Sequence, residues 1–105
     1  MPFPPTGTRK PLPPDLQRFI ADNFAPEDRE TAISLLAGAR IETGAVPDDR
    51  LLRCAAYACR QSLASLQRYV EMLAIDWRDV VVAGECELRD GKLVHVRDMT
   101  QPLVV

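Results

Sequence analysis

Residues 51–75, LLRCAAYACRQSLASLQRYVEMLAI, constrain the fold of this chain more than any other stretch. On a 3.6-residue period, Leu51, Leu52, Ala55, Ala58 and Cys59 fall on one side, and Arg50, Arg53, Tyr57 and Arg60 on the other. Beyond a break at Arg60-Gln61-Ser62, Leu63, Leu66, Val70 and Leu73 form a second apolar stripe, with Ser65, Arg68 and Glu71 facing away. Ser62 is placed to accept from the free backbone N–H groups that open the second helix. Two apolar stripes joined by so short a link must close on each other or on a common neighbour, so this helical hairpin is the expected core.

Start signals recur upstream. Pro13 or Pro14 opens a first helix running to Asn23, with Leu16, Phe19, Ile20 and Phe24 on one face. Pro26 opens a second, and Glu27, Asp28 and Glu30 suit the positive end of its dipole. Its expected stripe is Ile33, Leu36, Ala37 and Ile41; Gly38 lies inside as a point of close helix approach, and Gly44 is the left-handed stop. Pro47-Asp48-Asp49 then opens the central hairpin.

After that hairpin the period changes. Asp76 resembles an N-terminal cap, which predicts a short helix over 77–83, ended by Gly84, against the strand that the three valines Val80 to Val82 would favour. Arg89-Asp90-Gly91 is a turn between two short runs. A plain two-residue turn would mix the two faces, so a three-residue bulged loop is expected. It sets Cys86 across from Val94 and Gly84 across from Val96, with Glu85 facing His95 and Glu87 facing Leu93 on the other side. The apolar tail Leu103-Val104-Val105 is expected to pack down. Six prolines in the first fourteen residues predict an extended, disordered arm over 1–12, dispensable for folding, before a single domain over 13–105. The expected fold is mainly α, a compact bundle of four to five short helices with a C-terminal β-hairpin.

The quoted segments LLRCA, LQRYVEML, DWRDVVVAGE and the VRDM and QPL of the C-terminal run, spanning Leu51 to Leu103, resemble a small family of uncharacterised bacterial proteins of about this length. The resemblance implies a compact helical unit with an appended hairpin. It brings no activity, cofactor or site residue with it.

The residues that could carry chemistry are few. Cys54, Cys59, Cys86 and His95 would make a zinc ligand set, but two ligands five apart on a helix point about 140° away from each other, and no short C-x-x-C knuckle is present. The cysteines therefore read as free, buried thiols, with no metal and no cofactor expected. The bulged register puts Cys86 and His95 on opposite faces, which speaks against a nucleophile–base pair. No phosphate loop, H-E-x-x-H motif or serine elbow occurs, so no catalytic residues are expected. A helix-turn-helix would read bases with Gln61, Ser65, Arg68 and Met72. Only one of these is cationic, and the net charge of −2 offers no basic excess for phosphate neutralisation, so nucleic acid is the second choice of partner.

No stretch reaches the roughly 18 apolar residues that a membrane span needs, and the N-terminus lacks the apolar core of a signal peptide. A cytoplasmic chain without a membrane association is expected. What remains is a protein-interaction or regulatory module without catalytic activity, binding another protein or itself. Its expected surface is Arg53, Tyr57, Arg60, Arg68 and Trp77, because tyrosine, tryptophan and arginine anchor interfaces. Eleven of the 13 basic residues are arginines (all but Lys10 and Lys92), a composition suited to bidentate pairing with carboxylates.

Overall fold

A computed structural model describes residues 12–103. Four helices and one hairpin follow in order: α1 (Pro14–Asn23), α2 (Pro26–Ala37), α3 (Asp49–Ala58), α4 (Leu63–Glu85), β1 (Cys86–Arg89) and β2 (Lys92–His95). The start signals act locally, as their chemistry dictates. Pro14 and Pro26 occupy the first helical positions of α1 and α2, where a missing N–H removes nothing. Asp48 caps α3 by accepting from the Leu51 N–H at 3.1 Å, and Ser62 caps α4 by accepting from that of Ser65 at 3.2 Å.

Helix α2 is shorter than its pattern predicts. Gly38 ends it, and the chain leaves the helix so that Ala39 enters the core. A glycine inside a helix costs about 1 kcal/mol relative to alanine, and no stripe beyond it repays that cost, since Ile33 is exposed and Ile41 only half-buried. Gly44 instead serves a turn at φ 86°, where its N–H donates to the Ile41 carbonyl. The fifth short helix anticipated over 77–83 is the second arm of α4. Asp76 leaves helical geometry (φ −155°, ψ 97°) and its carboxylate accepts from the Arg78 N–H, so it caps a kink rather than a separate element.

Helix α3 lies at the centre. Leu51, Leu52, Arg53, Cys54, Ala55 and Ala56 are all buried, so the helix is enclosed on nearly every side rather than split into a wet and a dry face. The same core takes in Leu16, Ile20 and Phe24 from the first helical segment, Ala32 and Leu36 from α2, Leu66, Leu73 and Val80 from α4, and Met99 from the C-terminal segment. Leu12 is buried with them and its carbonyl accepts from the Gln17 side chain at 2.7 Å. Leu12, expected in the arm, thus packs with the core; the rest of the proposed arm lies outside the described residues.

Gly84 does not end α4. It sits inside the helix against α3, where a Cβ would fall 2.5 Å from Cys54 Cβ and 2.6 Å from Cys54 Cα. Backbone atoms stand in the way, so a side chain here must push the two helices apart.

The hairpin also departs from the bulged register. Cys86 pairs with His95, Glu87 with Val94, Leu88 with Leu93 and Arg89 with Lys92, around a two-residue turn. Asp90 (φ 51°) and Gly91 (φ 78°) are both left-handed, the geometry that lets a two-residue loop follow the strand twist. The bulge was inferred from keeping the two faces distinct, which matters only where one is buried, and β2 is exposed throughout and β1 nearly so. Mixing polar and apolar residues on a face then costs little, and the Asp-Gly turn chemistry decides.

Replacing Gly84 by Ala is expected to destabilise the fold by about 1–3 kcal/mol, the usual cost of overpacking. That corresponds to a fall of roughly 4–8 °C in Tm per kcal/mol, read by thermal unfolding against the wild type.

Candidate functional site

Two arginines predicted to be solvated are tied to carboxylates, and Arg53 is buried while Arg50 stays partly exposed. Arg53 is 7 % exposed. Its Nε and Nη2 donate to the two oxygens of Asp15 at 2.9 and 3.1 Å, and Nη1 reaches the carbonyls of Met99 and Thr100. Arg50 donates through Nε and Nη2, both at 2.7 Å, to the two oxygens of Glu85. Arg53 is therefore withdrawn from any outer surface. The helical period predicted its direction correctly, but α1 and the C-terminal segment cover that side of α3.

Glu85 is completely buried. Besides Arg50 it accepts from the Met99 N–H at 3.2 Å and meets His95 Nε2 at 3.0 Å. Hydrogen bonds from Arg50 outweigh the desolvation and hold its carboxyl down to about 2. So saturated a carboxylate is a poor general base; it is a structural tie. Asp15 plays the same part, held low by Arg53 and accepting also from the Leu103 N–H at 2.9 Å.

Cys54 lies 4.0 Å from Glu85 Oε2, and burial pushes its thiol up to about 12, so it is not a thiolate nucleophile. Cys59 is raised for the same reason. The observed register does bring Cys86 and His95 directly opposite each other, correcting the expectation of opposite faces. No hydrogen bond joins the two among the described residues, and His95 Nε2 is turned to Glu85. Among the described residues no group of three or more His, Cys, Asp or Glu converges as a metal site, and no helix is long and apolar enough to cross a membrane.

The candidate site is a cleft of about 680 Å³ beside the α3–α4 turn. Phe19, Tyr57 and Tyr69 give it aromatic walls, while Asn23, Arg60, Gln61, Arg97 and the Glu87 carboxylate bring polar groups. The Phe19 and Tyr57 rings lie 6.3 Å apart, and the Arg97 guanidinium stands 4.4 Å over the Tyr57 ring. Arg97 is also engaged with the Gly84 carbonyl and the Glu87 carboxylate. The Arg60 side chain is exposed and has no carboxylate partner among the described residues. Arg60 (φ 51°) and Gln61 (φ 68°) are consecutive left-handed residues without being glycine. Each such residue costs roughly 1–2 kcal/mol, partly offset by Gln61 donating to Asn23 Oδ1 at 3.2 Å.

Of the five anticipated surface residues, the cleft unites Tyr57 and Arg60. Arg68 lines an adjoining hollow that shares Arg60 and Tyr69, and its guanidinium donates to Ser65. Trp77 packs half-buried against the core and lines neither. Sequence reasoning did not single out Phe19, Tyr69 or Arg97. They come from α1, α4 and the segment after β2; the helical period placed Phe19 on the apolar face of α1, and no local pattern marks any of them as part of a site.

In comparisons with known proteins, no family model matches this chain, and neither a curated sequence nor a solved structure is significantly similar to it.

A carboxylate whose folded pKa is depressed stabilises the fold above its unfolded pKa and ceases to as pH falls through its folded pKa. For Glu85 that window runs from about 4.5 down to about 2. Wild-type stability measured in urea is expected to fall steeply across this window. Glu85→Gln is expected to lose about 2–3 kcal/mol at neutral pH, the worth of hydrogen bonds to a charged group, and to show a shallower acid slope.

Proposed function

We propose that this protein is a small interaction module that performs no chemistry and docks an acidic, extended segment of a partner protein in the Tyr57–Arg60 cleft. One observation carries the reading: an exposed arginine, without a carboxylate partner among the described residues, in a cleft lined by three aromatic side chains. A guanidinium presents donors in a fork that matches a carboxylate, and aromatic walls supply area with little rotamer loss. The two left-handed residues strengthen it, since strained backbone in a native fold tends to persist where a side chain must be aimed.

The ties described above also support a non-catalytic reading. Every buried carboxylate named is committed to an arginine, and the two buried thiols are held protonated. DNA binding through α4 finds less support. Of its expected outward series, Ser65 and Met72 are half-buried, which leaves Gln61 and Arg68 exposed.

The test uses fluorescence polarisation with a library of labelled acidic peptides, with and without aromatic residues. Wild-type protein is expected to select acidic–aromatic members. Arg60→Glu should weaken the selected peptide at least tenfold with Tm unchanged, because exposed charges contribute little to stability. Selection of no acidic peptide, or equal binding by Arg60→Glu, contradicts the reading. A duplex DNA shift with a steep salt slope that Arg60→Glu and Arg68→Glu abolish would put nucleic acid in its place.

A further inference from the structure

Among the described residues the hairpin is poorly covered, with every strand residue but Cys86 exposed. Leu88 and Leu93, directly paired, are 70 % and 62 % exposed. Its ladder has a defined phase, because the Val96 N–H donates to the Glu85 carbonyl at 2.8 Å. Hydrogen-bonded and non-bonded pairs alternate in an antiparallel ribbon. Glu87 with Val94 and Arg89 with Lys92 are therefore bonded pairs, while Cys86 with His95 and Leu88 with Leu93 are not. It follows that the N–H and C=O of Leu88 point away from β2, off the free edge of β1.

We propose that this edge is completed by a second copy of the chain, β1 pairing antiparallel with β1 about a two-fold axis through Leu88. The charges suit this register. Within its own chain Glu87 accepts from Arg89 and Arg97; across the edge it falls opposite Arg89 of the partner subunit, and the symmetry extends that complementary contact twice. Leu88 exchanges both backbone hydrogen bonds with Leu88 of the partner subunit, so the outward groups are satisfied by their own counterparts. The arrangement closes on itself, as an isologous contact must.

Other centres serve less well. Pairing about Cys86 would set Leu88 against Gly84 of the partner subunit, which lies in α4 and offers no strand edge. Pairing β2 about Leu93 would set Lys92 against Val94 of the partner subunit, with no charge match. In the Leu88-centred sheet, four strands replace a ribbon that is marginal by itself. Leu88 and Leu93 share one pleat face, so the leucines of the two copies form one continuous apolar row. Arg60 takes no part in this edge, so Arg60→Glu reads peptide docking without touching the pairing; Glu87 lines the cleft as well, and pairing is therefore read by sedimentation and cross-linking, not by peptide binding.

Sedimentation of the full chain across the micromolar range is expected to approach twice the 11.7 kDa chain mass. Leu88→Pro removes an outward N–H that the hairpin itself does not use and is expected to abolish the dimer while helical circular dichroism persists. Glu87→Arg should weaken dimerisation roughly tenfold by placing like charges opposite each other twice, and adding Arg89→Glu should restore it. The swap pair decides the matter should Leu88→Pro disturb the fold. Directly opposed bonded residues lie about 5.5 Å apart between Cα atoms, within disulfide range. Leu88→Cys should therefore cross-link to itself on oxidation, and Leu93→Cys should not. A wild type that stays monomeric throughout, or a dimer that ignores the charge swap and cross-links at Leu93→Cys, overturns the proposal.

Discussion

Arg50 and Arg53 stand three residues apart on α3, and each holds a carboxylate from a distant part of the chain, Glu85 at the end of α4 and Asp15 in the first turn of α1. Both carboxylates also accept a backbone N–H from the segment after β2, Glu85 from Met99 and Asp15 from Leu103. One helix thereby fastens the first helix, the end of the last helix and the C-terminal segment. Buried pairs of this kind can return less than their desolvation takes away. Their effect here is directional: they set where the chain goes after the hairpin, which leucine packing alone would leave loosely determined.

Close helix packing and these ion pairs depend on one another. Gly84 lets α4 come against Cys54 of α3, and the next residue is Glu85, which that approach places at Arg50. Separating the helices would pull the carboxylate from its arginine. The same geometry positions the cleft, because Arg97 follows β2 and reaches back to the Gly84 carbonyl while covering the Tyr57 ring.

Much of the helical order was legible because caps act over three or four residues. Pro14, Pro26, Asp48 and Ser62 each begin a helix for reasons contained in their own neighbourhoods. What was illegible depends on distant partners. A helical period locates Arg53 opposite Leu51 and Ala55 but carries no information on whether water or Asp15 meets it. Gly84 reads as a stop in one dimension and as a contact in three. The hairpin register was misjudged because alternation has force only where one face is buried, whereas Asp90-Gly91 carried the correct turn signal throughout. Within the cleft, Tyr57 and Arg60 were visible as an arginine–aromatic stripe, and Phe19, Tyr69 and Arg97 joined it only through folding.

The claim that paired carboxylates fasten the C-terminal segment is tested most directly by native-state hydrogen exchange at the Met99 and Leu103 amides. Both donate to buried or half-buried carboxylates, so their exchange should follow opening of the whole fold, with protection near that of the α3 core. Replacing Arg50 by Met should lower protection at Met99 more than at Leu103, and Arg53→Met should do the reverse. Exchange of both amides at the rate of free loop positions in the wild type would contradict the account.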